Sequence, residues 1–243
     1  MPGYIGSISS NYSIMNVALF FRNSRWYFWA LALLFITGFL LLAIDGKGGS
    51  FILLNSYHTN WLNTFFINYT NVGDGIFALF ISVILFFYKR KKQALALLLS
   101  FLISGLLVQI IKNLVSSPRP RLFFTSGQYT QFIEGVTLSN NSSFPSGHTA
   151  SAFAVATVLV LTMQNKTWHL PILFAATLVG YSRMYLAQHF LTDVMMGAFL
   201  GAISSIYAVY LVCHSNIAKR TKREKRSAHA DTNFPSTSEA KTA

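Results

Sequence analysis

The sequence predicts an all-α membrane protein, a six-transmembrane-helix bundle with an interfacial helix between spans one and two. Of its 243 residues, 53% are hydrophobic and 11% are charged, which is unlike an average soluble domain. A helix needs about 20 mostly apolar residues to cross a hydrocarbon core of ~30 Å. Six segments are candidates for such spans: 26–44, 72–88, 93–111, 149–163, 170–187 and 192–213.

The first of these segments follows Arg22 and Arg25, an arrangement that secretory signal peptides also have. Its apolar stretch is longer than the core of a usual signal peptide, and no small-x-small cleavage site precedes Asp45. We therefore interpret 26–44 as a first membrane span.

The stretch between spans one and two is aromatic and poor in charge. Leu54, Tyr57, Trp61 and Phe65 recur at helical spacing. This pattern is typical of a helix that lies in the membrane interface, here on the outer side. His58, in the same stretch, is interpreted as an interfacial side chain.

The formal net charge of +12 is concentrated in three places. Arg22 and Arg25 precede span one, a cluster at 89–92 separates spans two and three, and a cluster at 219–226 follows span six. All three fall on one side of a six-span protein, so the positive-inside rule predicts that both termini are cytoplasmic. The basicity then reflects topology and attraction to anionic lipid headgroups rather than binding to nucleic acid.

The chain divides into a six-span domain at 1–218 and a basic cytoplasmic tail at 219–243. The end of this tail is polar and without periodicity, which predicts disorder. Cys213 is the single cysteine, which excludes an intramolecular disulfide, a cysteine-based zinc cluster and a redox pair.

The first group of unexpected polar residues, "KNLVSSPRPR" at 112–121, follows span three. Lys112 and Arg119 are seven residues apart, a spacing that would place both on one helix face. Pro118 and Pro120, however, are expected to break the helix before Arg119. Taken alone, a snorkelling Lys and a loop Arg explain this segment.

The second group, "FPSGH" at 144–148, opens span four. A helix N-terminus offers unpaired N–H groups and a positive dipole end, which together bind anions such as phosphate. Pro145 is tolerated in a first turn, Ser146 adds a hydroxyl, and Gly147 permits close approach. His148 would then lie beside the anion, although a capped helix with an interfacial His explains the segment equally well.

The third group, "SRMYLAQHFLTD" at 182–193, joins spans five and six. His189 and Asp193 are four residues apart, so on a helix they share a face, and Asp193 can accept from one imidazole nitrogen. That arrangement is typical of a nucleophile or base. Arg183 lies six residues before His189, so their convergence requires a turn between them.

The predicted topology brings the three groups together. Spans three and five end, and spans four and six begin, on the non-cytoplasmic side. Three cations, a helix N-terminus and two histidines at one place form a site for a phosphate undergoing chemistry. The residues that converge are Lys112, Arg119, Ser146, His148, Arg183, His189 and Asp193.

These groups resemble the three-part signature of the type 2 phosphatidic acid phosphatase family. The matching parts are Lys112, six residues, Arg119-Pro120; Pro145-Ser146-Gly147-His148; and Ser182-Arg183, five residues, His189, three residues, Asp193. All eleven fixed positions are present in order, between residues 112 and 193.

The resemblance implies an integral-membrane phosphatase that needs no metal or other cofactor and acts on lipid phosphates or diphosphates. It implies that His189 is a nucleophile forming a phosphohistidine, that Asp193 orients it, and that His148 protonates the departing lipid oxygen. The phosphate clamp would consist of Lys112, Arg119, Ser146, Gly147 and Arg183.

The lipid is not fixed by the motifs, which contact the phosphate alone. Candidates are phosphatidate, phosphatidylglycerol phosphate, undecaprenyl diphosphate and lipid A. Short loops and small size favour a bacterial inner membrane, with the site facing the periplasm.

Three alternatives stay open at this point: transfer of phosphate from one lipid to another, a vanadium haloperoxidase-like enzyme, and a phosphate-binding transporter.

Two residues near the three motifs can be interpreted in more than one way. Asp74 is interpreted as a helix N-cap rather than a site residue, and Arg121 would contact either a second phosphate or the surrounding lipid.

Overall fold

The structure is a computed structural model that describes residues 22–124, 128–129 and 131–232. Within these ranges the regular elements are helices, and Ser117 and Ser142 form an isolated β-bridge. The helices are α1 Arg25–Leu54, α2 Asn60–Tyr69, α3 Gly75–Phe87, α4 Lys91–Leu114, α5 Pro120–Phe123, α6 Gly147–Thr162, α7 His169–Tyr185 and α8 Leu191–Thr232. The prediction of an all-α protein is confirmed.

Helices occur at all six predicted spans, but their lengths differ. Arg25–Leu54, Lys91–Leu114 and Leu191–Cys213 are long and apolar enough to cross a membrane. A fourth span is possible if Asn60–Gly73 and Gly75–Phe87, which are bent by 56°, count as one. The 16 residues of α6 extend over about 24 Å, which is short for a span, so the count of six stays a prediction.

The region assigned to an interfacial helix is divided between two elements. Leu54 is the last residue of α1, and the separate helix α2 starts at Asn60 after a capping Thr59 whose side chain accepts from Leu62 N. The side chain of Trp61 is 71% exposed, while Phe66 is buried against Tyr185. The position of α2 relative to a membrane surface stays a prediction.

The last helix continues beyond the predicted domain boundary. Residues 219–232, assigned above to the tail, lie on α8, which ends at Thr232. The segment from 202 to 232 contains no Gly or Pro, and its Lys, Arg, Glu and Ala residues favour helix. The rest of the predicted tail, 233–243, lies outside the described residues.

Helix α6 is the centre of the bundle. It packs against α8, α4 and α7, and its side chains are buried on every face. A helix that is apolar all round belongs in the interior of a protein. The buried residues are Thr149, Ala150, Ala152, Phe153, Ala154, Val155, Ala156, Thr157, Val158, Val160 and Leu161.

Two glycines of α8 allow its backbone to touch that of α6. A Cβ at Gly197 would overlap the carbonyl oxygen of Ser146, and a Cβ at Gly201 would overlap that of Ala150. Small residues four apart are a common means of close helix approach in membranes. This contact places the start of α6 beside the start of α8.

We predict that Gly201→Ala destabilises the protein by about 1–3 kcal/mol, because the new methyl group meets backbone that must move. Gly105→Ala is the matched control, since a Cβ at this glycine of α4 has no neighbour within 4 Å. The control should be neutral or gain up to about 1 kcal/mol. Thermal unfolding of both variants in the same detergent measures the difference, and equal stabilities would contradict the proposed contact.

Candidate active site

The predicted site residues lie at helix ends or in the turns that join them. Lys112 is in the last turn of α4 and Arg119 precedes α5. Ser146 caps α6, with Gly147 and His148 in its first turn. The remaining three occupy the α7–α8 junction: Arg183, His189 and Asp193.

The long connection after α4 folds back on itself and aligns the first two motifs. Helix α4 ends at Leu114, so the prediction that the helix stops before Arg119 is confirmed. Beyond it, Ser117 N donates to Asn141 O (3.1 Å), and Ser143 N donates to Ser117 O (3.0 Å). The segment that carries Arg119 therefore lies beside the segment that leads into α6.

Arg119 is held by a set of oxygen acceptors. It is 6% exposed; its Nε donates to Asn140 Oδ1 (2.8 Å), and its Nη1 donates to Gln188 Oε1 (2.7 Å) and Gln188 O (3.0 Å). Gln188 directly precedes His189, so this guanidinium is connected to the predicted nucleophile's turn.

Lys112 and Arg119 meet at one carbonyl group. Lys112 Nζ donates to Ser142 O (2.9 Å), and Arg119 Nη2 approaches the same oxygen at 3.4 Å. Neither cation forms a salt bridge with a carboxylate in the described part of the chain. Both therefore keep positive charge available for an anion.

Arg183 is almost completely buried and incompletely satisfied. Its Nη1 donates to Thr70 Oγ1 (2.7 Å), while its Nε is buried and unpaired in the described part of the chain. An unsatisfied buried N–H is energetically costly. A phosphate oxygen would supply the acceptor.

His189 lies in a turn before α8, not on the helix. Its backbone N–H donates to Arg183 O (3.2 Å), and Ala187 in the same turn has a positive φ of 51°. The prediction that His189 and Asp193 share a helix face is thus wrong in detail, because α8 begins at Leu191. The turn nevertheless places His189 Nδ1 3.5 Å from Asp193 Oδ2.

Asp193 is fully buried and held by three donors. Its Oδ2 accepts from Ser143 Oγ (2.5 Å) and Phe190 N (3.0 Å), and its Oδ1 accepts from Thr192 Oγ1 (3.1 Å). The 3.5 Å distance to His189 is long for a hydrogen bond. The carboxylate is fixed in place and faces the imidazole.

Burial lowers the pKa of His189 below its ordinary value. The imidazole is therefore neutral at physiological pH. With the proton on Nδ1, toward Asp193, the lone pair is on Nε2. This is the protonation state that a nucleophilic histidine requires.

The start of α6 completes the site. Ser146 Oγ accepts from Thr149 Oγ1 (2.9 Å) and caps the helix, and Ser146 N donates to Asp193 O (3.0 Å). The prediction that "FPSGH" opens a helix is confirmed, but the placement of Pro145 in the first turn is wrong, because Pro145 lies before the Ser146 cap. His148 is half-buried, and burial together with the nearby Arg183 guanidinium lowers its pKa to about 4.

Asp74 is a helix N-cap, as predicted: it precedes α3 and its Oδ1 accepts from Ile76 N (3.0 Å). Its carboxylate also interacts electrostatically with His148 and Arg183. Arg121 is exposed, with its guanidinium 5.9 Å from the Phe132 ring centroid. No group of three or more His, Cys, Asp or Glu is placed to hold a metal ion among the described residues.

Four side chains that hold the site were not predicted: Thr70, Asn140, Ser143 and Gln188. Ser143 and Gln188 are close in sequence to the motifs, and a search for polar neighbours of His189 and Pro145 would have found them. Thr70 is 113 residues from Arg183, and nothing in its local sequence marks it. The fold alone brings it to the site.

Comparison with known proteins gives consistent matches. Residues 93–217 match the model of the PAP2 superfamily. An undecaprenyl-diphosphatase of Sulfolobus acidocaldarius is 28% identical over 203 residues, 80% of this chain and 96% of that protein. Phosphatidylglycerophosphatase B of Bacillus subtilis is 31% identical over 159 residues, 59% of this chain and 71% of that protein.

Two solved structures are similar in fold. LpxE of Aquifex aeolicus has a TM-score of 0.58 and 32% identity, covering 65% of this chain and 92% of its own. The PAP2-type phosphatidylglycerolphosphate phosphatase of Bacillus subtilis has a TM-score of 0.54 and 28% identity, covering 76% and 95%.

We predict that Ser143→Ala lowers kcat for hydrolysis of a phosphate ester about 10- to 100-fold, the value of one hydrogen bond to a charged group. KM should change little, because the lost bond orients Asp193 rather than the substrate. Ser139→Ala, at an exposed position of the same loop, is the control and should retain activity. Comparable kinetics for the two variants would exclude an orienting role for Ser143.

Proposed function

Because the chain belongs to the PAP2 superfamily and is a membrane lipid phosphatase, we propose that it acts through a phosphohistidine formed on His189. One observation carries this proposal: the buried, neutral imidazole of His189 faces the fixed carboxylate of Asp193, and the turn that holds it is hydrogen-bonded to two buried arginines. His189 N donates to Arg183 O, and the preceding Gln188 accepts from Arg119.

In the first step, His189 Nε2 attacks phosphorus while the bond from phosphorus to the lipid oxygen breaks. The negative charge of the bound phosphate opposes the effect of Arg183 and raises the pKa of His148. In its protonated form His148 gives a proton to the departing lipid oxygen, so the lipid leaves as an alcohol or, from a diphosphate, as a lipid monophosphate. The imidazole gains positive charge as the P–N bond forms, and the carboxylate of Asp193 stabilises it. Covalent catalysis divides one difficult displacement into two easier ones.

In the second step, a water molecule attacks the phosphorus of the phosphohistidine. His148, now neutral, takes a proton from the water, the P–N bond breaks, and inorganic phosphate leaves. His189 and His148 return to their starting protonation states. General acid–base catalysis of this kind contributes roughly 10²–10⁴-fold.

The cations supply the remaining stabilisation. A phosphoryl transition state is loose, so catalysis consists mainly of positioning and of neutralising charge on the equatorial oxygens. Lys112, Arg119 and Arg183 are placed to do this, together with N–H groups near Gly147 and the hydroxyl of Ser146. The unpaired Nε of Arg183 supports a bound phosphate in particular.

The proposed substrate is a lipid phosphate or diphosphate, with phosphatidate, phosphatidylglycerol phosphate, undecaprenyl diphosphate and lipid A as candidates. The proposed orientation has both termini cytoplasmic and the site facing the periplasm of a bacterial inner membrane. The arrangement of charge on α4 supports it: the basic cluster 89–92 flanks its start, whereas Lys112 is at its end. The two ends of this 24-residue helix are about 36 Å apart.

The first test is phosphate release by the purified protein in detergent, with EDTA present, from the four candidate lipids. We expect release from at least one of them and none from His189→Ala, which should remain folded because Asp193 keeps its other three donors in that variant. Labelled phosphate should be trapped on the wild-type protein and be absent from the variant.

Activity retained in the His189→Ala variant would contradict the proposed mechanism. Trapped label without phosphate release, combined with label appearing on a second lipid, would replace hydrolysis by transfer between lipids.

We further predict that Arg183→Lys lowers kcat about a hundredfold or more, the usual effect of removing one transition-state donor. A lysine keeps the charge but cannot donate to Thr70 and to a phosphate in the same planar geometry. Arg121→Lys is the control, since Arg121 is exposed, and should behave like wild type. A fully active Arg183→Lys variant would show that charge alone suffices at this position.

A further inference from the structure

Lys47 is a cation near the site that none of the three motifs contains. It lies where α1 is interrupted: Gly46 has φ 66° and ψ −176°, a conformation that a residue with a side chain rarely adopts. The following turn approaches the loop after α4, since a Cβ at Gly48 would be 3.4 Å from Phe123 Cε1. The break in α1 therefore brings Lys47 to the connection that carries Arg119.

The ammonium group of Lys47 is held against residues of the site. Its Nζ lies 4.3 Å from the ring centroid of Phe190 and 5.7 Å from that of Phe123. Cation–π contacts at these distances hold the amine in place without neutralising it. Phe190 follows His189 and donates its backbone N–H to Asp193. The ring that Lys47 contacts therefore belongs to the same turn as the proposed nucleophile.

Lys47 is also poorly satisfied for a half-buried cation. Among the described residues its acceptor is Ser117 Oγ at 3.4 Å, which is long for an N–H···O bond. No carboxylate lies within 4.0 Å of it among the described residues. An ammonium group has three donors, so this one keeps donors available for an anion.

The position of Lys47 relative to the clamp follows from the bridge between Ser117 and Ser142. Lys47 contacts Ser117, and both Lys112 and Arg119 contact the carbonyl of Ser142. Bridged residues are about 4.8 Å apart. Lys47 is thus next to the clamp, but it contacts Ser117, whereas the clamp residues contact Ser142. Two phosphates of one headgroup can cover the distance between these bridged residues.

We propose that Lys47 binds a second phosphate of the substrate, the one that stays on the lipid when the first is transferred to His189. This inference rests on the proposed function and deepens it, because it assigns the enzyme a preference for lipids that carry two phosphate groups. The second group is either the inner phosphate of a diphosphate or the diester phosphate of a phosphatidylglycerol phosphate headgroup.

The test compares substrates that differ by one phosphate: farnesyl diphosphate with farnesyl phosphate, and phosphatidylglycerol phosphate with phosphatidate. The variants are Lys47→Gln, which keeps length but removes charge, and Lys47→Arg, which keeps charge. Lys166→Gln, at an exposed position of the 3₁₀ turn before α7, is the matched control.

We expect Lys47→Gln to lower kcat/KM about 10- to 100-fold for a two-phosphate substrate, chiefly through KM, and to leave the one-phosphate partner within about threefold. Lys47→Arg should restore most of the loss, and Lys166→Gln should change neither. The pair that responds identifies which kind of second phosphate Lys47 contacts. Equal losses on both members of each pair, or no loss on any, would overturn the proposal.

A binding measurement separates this proposal from the proposed reaction. Methylenediphosphonate and methylphosphonate cannot be hydrolysed, and their binding can be followed by thermal shift of the full-length protein. We expect the diphosphonate to bind more tightly, and this advantage to disappear in Lys47→Gln. If wild type shows the advantage but releases no phosphate, the proposed function fails and the Lys47 site stands; if Lys47→Gln keeps the advantage, the Lys47 site fails whatever the activity.

Discussion

The site depends on the direct contact between the backbones of α6 and α8. Gly197 and Gly201 have no side chains to separate the two helices, and Ser146 N donates to Asp193 O at their common end. These features fix the capped start of α6, which carries His148, relative to the turn that carries His189. Two segments more than forty residues apart in sequence thereby form one reaction centre, and neither helix can shift without moving a proposed catalytic group.

A second constraint is electrostatic. Three cations are gathered at this end of the bundle, with the carboxylates of Asp193 and Asp74 as the neighbouring acidic groups. The three cations donate their hydrogen bonds to neutral oxygens, which belong to Asn140, Ser142, Gln188 and Thr70. Neutral acceptors hold a guanidinium in place without cancelling its charge. The phosphate dianion that we propose to bind here would relieve the repulsion that remains between the cations.

The sequence identified residues that the structure brings together, but it placed the elements around them less accurately. Lys112, Ser146, Arg183 and Asp193 stand where apolar runs begin or end, and that boundary is visible without a structure. Thr70 has no such mark, because its role comes from the packing of the turn after α2 against α7. Lys47 was not predicted for a similar reason. In the sequence it is a residue just past a predicted span, and the break in α1 at Gly46 is not marked there.

The remaining differences have the same origin. His189 was placed on a helix because four-residue spacing to Asp193 fits one, yet a tight turn can bring the same two side chains together. The turn has a consequence that a helix would lack. In it, the backbone N–H of His189 donates to Arg183 O, and the carbonyl of Gln188 accepts from Arg119. His189, the proposed nucleophile, is therefore joined to Arg183 by a main-chain hydrogen bond, and its turn is joined to Arg119 by a bond from the guanidinium to the main-chain carbonyl of Gln188. The proposed phosphate clamp is thereby tied to the backbone of the His189 turn, whereas Lys47 reaches the same turn from α1, through the Phe190 ring and Ser117.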